Sequence, residues 1–260
     1  MKKSIVNKII SASLVLAGGV LSAGAQFAWD PGLTGGSGGA GTWNLTSAIW
    51  YNGATDIRWT DTAAPGTNTA VFGGTAGTVT LGASLVASNL VFTTPGYTLS
   101  GTGPLTLGGG INASSLSSGT TTIGTPLSLP AAQQLWQAGS GATLAVTGAL
   151  TRSPGASVDF TTPGVNVTSP LLANDATGVI GGWATINDTT GPGANWAAND
   201  GSGNIIAYTG YTLVSANGST TQNGAGAATQ NWLTGAFSNA ISYPFTLTEN
   251  TRAIYGSMPT

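Results

Sequence analysis

From Gly77 to Ile111 the chain reads GTVTLGASLVASNLVFTTPGYTLSGTGPLTLGGGI, with apolar runs returning every eight to eleven residues and Gly, Ser, Thr or Pro between them. Val79 and Leu81, Leu90 and Phe92, Tyr97 and Leu99, and Leu105 and Leu107 each stand two positions apart. That spacing puts both members of a pair on one face of a strand. The rhythm is sustained from Ala70 to Thr151 through AVFGG, TVTL, NLVF, YTLS, PLTL, TTIG, PLSL and ATLAVTGAL. Three such strands make a turn of about 20 to 30 residues, the period range of solenoids. The strands follow one another too closely for crossover helices. Parallel strands must therefore join through successive faces of a coil, and antiparallel ones through hairpins. Periodicity leaves both a parallel β-helix and an antiparallel β-sandwich open. Leu129–Gly139, LPAAQQLWQAG, is the one place that reads as a helical turn, with Leu135 and Trp136 as its apolar contacts.

The flanks differ from this centre. Residues 1–25 have a basic start (Lys2, Lys3, Lys8), an apolar stretch from Ile9 to Leu21 and an Ala23-Gly24-Ala25 end, which reads as a signal peptide cleaved near Ala25. The apolar stretch is short for a membrane span, so secretion is expected and no retained span. Residues 26–69 are rich in Trp and Gly, and Trp43, Trp50 and Trp59 recur at spacings of seven and nine. These rings suit an aromatic plug over the end of a β core, because Trp buries a large area and repeat architectures need an atypical cap. A sugar-stacking platform is the competing reading, and Trp183 and Trp196 join the candidates for it. Residues 70–152 are the repeats. From residue 153 to 260 the polar loops lengthen, as in wider or inserted coils. The ending, AISYPFTLTENTRAIYGSMPT, is extended and carries no polar cap, which leaves an edge open to pairing with another chain.

Composition narrows the function more than it names one. Of 260 residues 41 are Gly, 5% are charged, 41% are hydrophobic and 8 are Trp, with no Cys and no His. Disordered chains lack such aromatic and aliphatic content, so this one folds. Without Cys, a secreted protein is held by packing and backbone ladders. Loss of residues 1–25 takes all three Lys and leaves Arg58, Arg152 and Arg252 against eight acids, a net charge of −5. No basic patch remains for nucleic acid.

Catalytic side chains are scarce. Past residue 25 there is no His, Cys or Lys and a single Glu, Glu249. Ser-His-Asp, Cys-His and Lys-based catalysis are excluded, which leaves paired carboxylates as in glycoside hydrolases. Asp56 with Asp61, or Asp188 with Asp200, are the pairs to consider, although Asp takes turn positions readily. Asp200-Gly201-Ser202-Gly203-Asn204 begins like an EF-hand loop, but Ile205 stands where Gly is needed and Tyr211 where Glu should be. A turn is the better reading, and neither metal nor cofactor is expected. The Gly-rich run from Gly32 to Gly41 lacks the preceding strand and following helix of a dinucleotide motif. Five Asn-x-Ser/Thr sequons begin at Asn44, Asn112, Asn166, Asn187 and Asn217, as expected by chance in a chain of this composition.

Small-residue turns around TL and LTL strands, with SGTGPLTLGGG in the place of a GxGxLxLxG consensus, resemble the autotransporter-associated β-strand repeat of secreted bacterial passenger proteins. The lead-in GTWNLTSAIWYNG, followed by NTAVFGG and TVTLG, resembles the start of such proteins, and the likeness runs from Trp43 to Thr151. It implies a right-handed parallel β-helix at the cell surface, adhesive or structural. The reading is therefore an all-β, secreted, non-enzymatic scaffold, passenger-like and adhesive. Its expected partners are glycans, extracellular matrix or like chains. A carbohydrate-binding module using surface Trp is the alternative.

Overall fold

The computed structural model describes residues 24–161, 167–187 and 195–210, together with three later strands. Among the described residues all regular structure is β, and parallel coils stack into a β-solenoid of about five turns. Its first face is built by β1 (Gln26–Trp29), β5 (Thr69–Phe72), β7 (Leu85–Phe92), β9 (Leu105–Ala113), β12 (Gln133–Ala138), β15 (Ser157–Thr161) and β17 (Ala184–Asn187). The second face is built by β2 (Gly41–Trp43), β6 (Thr78–Leu81), β8 (Thr98–Ser100), β10 (Thr120–Ile123), β13 (Thr143–Val146) and β16 (Val167–Thr168). A third face is made from the leading halves of β7 and β9, then β11 (Leu127–Leu129) and β14 (Leu150–Arg152).

The ladders between coils are parallel on all three faces, so the sandwich alternative is set aside. Leu85, Leu105, Leu127 and Leu150 stand in one column, spaced by 20, 22 and 23 residues. On the second face Val79, Leu99, Ile123 and Val146 form another. On the first, Ala70, Leu90, Ile111, Trp136, Phe160 and Ile186 form a third, and its last step widens to 26 residues. The alternation read in the sequence explains the fill. All four paired sets from Val79 to Leu107 are buried, while Thr78, Thr80 and Thr106 between or beside them point away from the core. Each such Leu or Phe contributes about 1.5–3 kcal/mol by leaving water.

One expectation fails. Leu129–Gly139 holds no helical turn: Gln133–Ala138 is a strand, paired in parallel with β9 and β15. Its period is two, with Gln134, Trp136 and Ala138 buried and Leu135 half-buried on the outer side. The helical reading took Leu135 and Trp136 as joint core contacts, but on a strand adjacent residues face opposite ways. A buried Gln hid the alternation. Gln134 satisfies itself by donating Nε2–H to the Leu107 carbonyl and accepting the Trp136 indole N–H at 3.0 Å.

Antiparallel hairpins lie at both ends of the first face. At the start, β3 (Ala48–Tyr51) pairs with β1 and with β4 (Asp56–Arg58). At the far end, β18 (Asn195–Asn199) pairs with β17 and with β19 (Ile205–Ala207). Gly38 ties the first loop to the stack: φ is +77° and an added Cβ would lie 2.2 Å from the Gly73 carbonyl oxygen, so only Gly fits. Beyond the second hairpin β20 (Thr212–Val214), β21 (Asn231–Thr234) and β22 (Thr251–Ile254) form a separate parallel sheet. The remainder of the ending expected from Ala240 to Thr260 lies outside the described residues.

Candidate functional site

The aromatic candidates divide between the two ends. Trp43 ends β2, Trp50 lies in β3 and Trp59 follows β4, and all three are buried. They pack on one another at ring-centroid distances of 4.7 to 4.9 Å, with Trp29 5.1 Å from Trp50. Phe72 lies 5.7 Å from Trp50 and stacks on Phe92 at 5.0 Å, which carries the cluster into the next coils. This is a plug. None of its rings offers a face to solvent, so Trp43, Trp50 and Trp59 are not a surface platform for sugars.

The indole donors within the plug are treated unequally. Trp29 donates to the Gly39 carbonyl at 2.8 Å and Trp59 to the Val86 carbonyl at 2.7 Å. The Nε1 atoms of Trp43 and Trp50 are buried without a hydrogen-bond acceptor. Both rings meet their neighbours at steep angles, Trp43 against Trp50 at 62° and against Trp59 at 79°.

Trp183 and Trp196 belong to the far end and are half-buried. Trp196 sits on β18 across from Thr185 of β17. The Arg152 guanidinium lies 5.1 Å over the Trp183 ring, within cation–π range, and donates to the Ala156 carbonyl at 3.1 Å. Arg152, Gly155, Ala156, Ser157, Gly182 and Trp183 line an open cleft of about 440 Å³. One face of the Trp183 ring is thus already occupied by Arg152.

Of the two carboxylate pairs considered on spacing, Asp56 with Asp61 lies within the described residues, and there each has another partner. Asp61 is a loop clamp: Oδ2 accepts from the backbone N–H groups of Thr67 and Asn68 at 2.8 and 2.7 Å, and Oδ1 from both of their side chains. Asp56 instead meets Asp30, a residue not singled out from the sequence. Burial, then the Asp30 charge, then a hydrogen bond between the two carboxyls push Asp56 above its ordinary value. For Asp30 burial acts upward, but the backbone N–H groups of Gly36, Thr34, Gly35 and Ser37 together hold it below. The Gly35 N–H donates to Asp30 Oδ2 at 2.6 Å. The signal missed was the strand register, which sets Ala28, Tyr51 and Asp56 in one row, with Asp30 two residues on from Ala28.

Asp188 lies outside the described residues. Asp200 opens the turn of the far hairpin, where the Asn204 side chain and then the Ser202 backbone N–H hold its carboxyl below the ordinary value. Its oxygens already accept from Ser202, Asn204 N and, at 2.6 Å, Asn204 Nδ2. Among the described residues no three of His, Cys, Asp or Glu gather as a metal group. Nor is there, among them, a helix long and apolar enough to cross a membrane.

The chain is similar to a known adhesin. Over 167 residues, 62% of its length, it is 40% identical to the adhesin BmaC autotransporter of Brucella suis biovar 1 (strain 1330). The chain spans about 5% of the length of that relative. No protein-family model matches the chain, and no solved structure matches it. A β-solenoid with that similarity fits the passenger of an autotransporter.

Proposed function

We propose that the chain is part of a surface-exposed, passenger-like β-solenoid, of the autotransporter-associated β-strand repeat type, that adheres without catalysing a reaction. The observation that carries this is the stack of parallel coils in a chain similar to an adhesin autotransporter over 62% of its length. The side-chain inventory supports the absence of catalysis, since general acid–base and nucleophilic groups are nearly missing. Secretion follows from residues 1–25, and glycans, matrix or like chains are the partners proposed.

The test is adhesion itself. Beads carrying residues 26–260 should attach saturably to matrix-coated and cell-covered surfaces, and free protein should compete. Attachment no greater than for beads carrying an unrelated β-solenoid would overturn the reading. Release of reducing sugar from any glycan in the same assay would overturn its non-enzymatic part.

A further inference from the structure

On the second face every other residue points away from the core, and these positions are rich in hydroxyls. Thr42, Thr80 and Ser100 form one column up the stack, and Thr78, Thr98 and Thr122 form the next. Backbone ladders hold members of a column about 4.8 Å apart, and the two columns stand about 6.6 Å apart along each strand. Thr80 Oγ1 and Ser100 Oγ lie 3.5 Å from each other, so neighbours in a column are within mutual reach. Thr42, Thr78 and Thr80 are exposed and the other three half-buried. No charged residue occupies a strand of this face. The outer column of the first face is different in kind, running Val71, Val91, Asn112 and Gln137.

We propose that this threonine face binds a neutral, extended polysaccharide through hydroxyls repeated at the coil spacing. The proposal rests on the adhesive reading above and names its ligand. A hydroxyl both donates and accepts, which matches the hydrogen-bonding inventory of a sugar. One such bond exchanged with water contributes little, so a lone sugar gains almost nothing here. A polymer whose rings repeat at a spacing close to that of the coils gains from many weak contacts at once. The β-branched Thr side chains are stiff at χ1, so little freedom is lost when the ligand arrives. Charge sets the sign of the preference. The face has no cation to hold a polyanion, and the mature chain is net negative, with three Arg against eight acids.

The experiment is depletion of the full secreted chain by insoluble polymers, with cellulose and chitin as neutral probes and polygalacturonate as the anionic one. Retention on a neutral polymer and not on polygalacturonate is expected. The combined Thr78→Val, Thr98→Val and Thr122→Val variant should lose about tenfold in apparent affinity, a change readily separated from noise. Thr98→Ser, which keeps a hydroxyl, should bind like the parent, as should Thr106→Val on the third face. Circular dichroism confirms that each variant is folded, and Val retains the β-branched shape that suits a strand. Undiminished binding by the triple variant, or equal retention on polygalacturonate, overturns the proposal. Adhesion to cells or matrix without retention on cellulose or chitin overturns it too, and leaves the adhesive reading standing. Retention on cellulose or chitin without adhesion does the reverse.

Discussion

Both ends of the long sheet finish in an antiparallel hairpin, but only the first buries large rings, the second adding the smaller Ala197 and Ile205 to the core. At the first end the β3–β4 hairpin folds Trp50 and Trp59 over Trp29, Trp43 and Phe72, so closure is by aromatic burial. At the other, the β18–β19 hairpin reaches back to the second face through polar bonds. Ser169 N donates to the Gly203 carbonyl at 2.8 Å, and Asn199 Nδ2 to the carbonyls of Leu172 and Ser169 at 2.9 and 3.2 Å. The Asn199 N–H donates to Asn174 Oδ1, and Asn174 Nδ2 to the Asn199 carbonyl. Burying a large ring is worth more than exchanging a hydrogen bond with water. The first end is therefore the stronger, and opening should begin at the far hairpin.

The largest test of that contrast is Trp50→Ala, which should lower unfolding stability by about 3–5 kcal/mol in chemical denaturation. Asn199→Ala should cost about 1–2 kcal/mol, and hydrogen exchange should show the loss confined to residues near Ser169 and Gly203. If the two substitutions cost the same, the contrast between the ends is wrong. A finer comparison lies within the plug. Trp59→Phe should be worse than Trp50→Phe by about 1 kcal/mol, because only Trp59 donates to a carbonyl, that of Val86.

The smallest effect is in the pH dependence of the first end. Asp56 is raised, so its contribution is complete below the unfolded-state pKa and is lost as pH rises through the folded-state value. Asp30 is lowered, so its contribution is present above the unfolded-state pKa and is lost as pH falls through the folded-state value. The pair is most favourable in the acid window between the two folded-state values. Asp56→Asn should raise the thermal midpoint at neutral pH by about 1–2 °C and bring no gain within that window. A gain of the same size at both pH values would show that the two carboxyls do not interact.

Strand positions were legible where alternation was clean. Val79, Leu81, Leu90, Phe92, Leu105 and Leu107 lie in the core as their spacing says. Parallel pairing was not legible from period alone, because a hairpin and a coil can share one rhythm of apolar runs. The bends inside β7 and β9 were also hidden. There one continuous strand serves two faces, and the register slips between Ala87 and Asn89. The Trp plug could be anticipated from clustered aromatics ahead of the repeats. The Asp30–Asp56 contact could not, since it depends on the register of a hairpin with a bulge at Ala48 to Trp50. The threonine columns need the same knowledge: TVTL, YTLS and TTTI are visible as strings, but only the parallel register sets Thr78 beside Thr98 and Thr122.

The parallel register also decides how the molecule would yield to a pull along its length. Each coil is bonded only to the coil before and the coil after, so tension reaches one seam at a time. Twenty to twenty-six residues separate equivalent positions, and a peeled coil would release about 70–90 Å of slack chain. Stretched between two anchors, the rod would extend in steps and dissipate load coil by coil, starting from the polar hairpin and stopping last at the tryptophans.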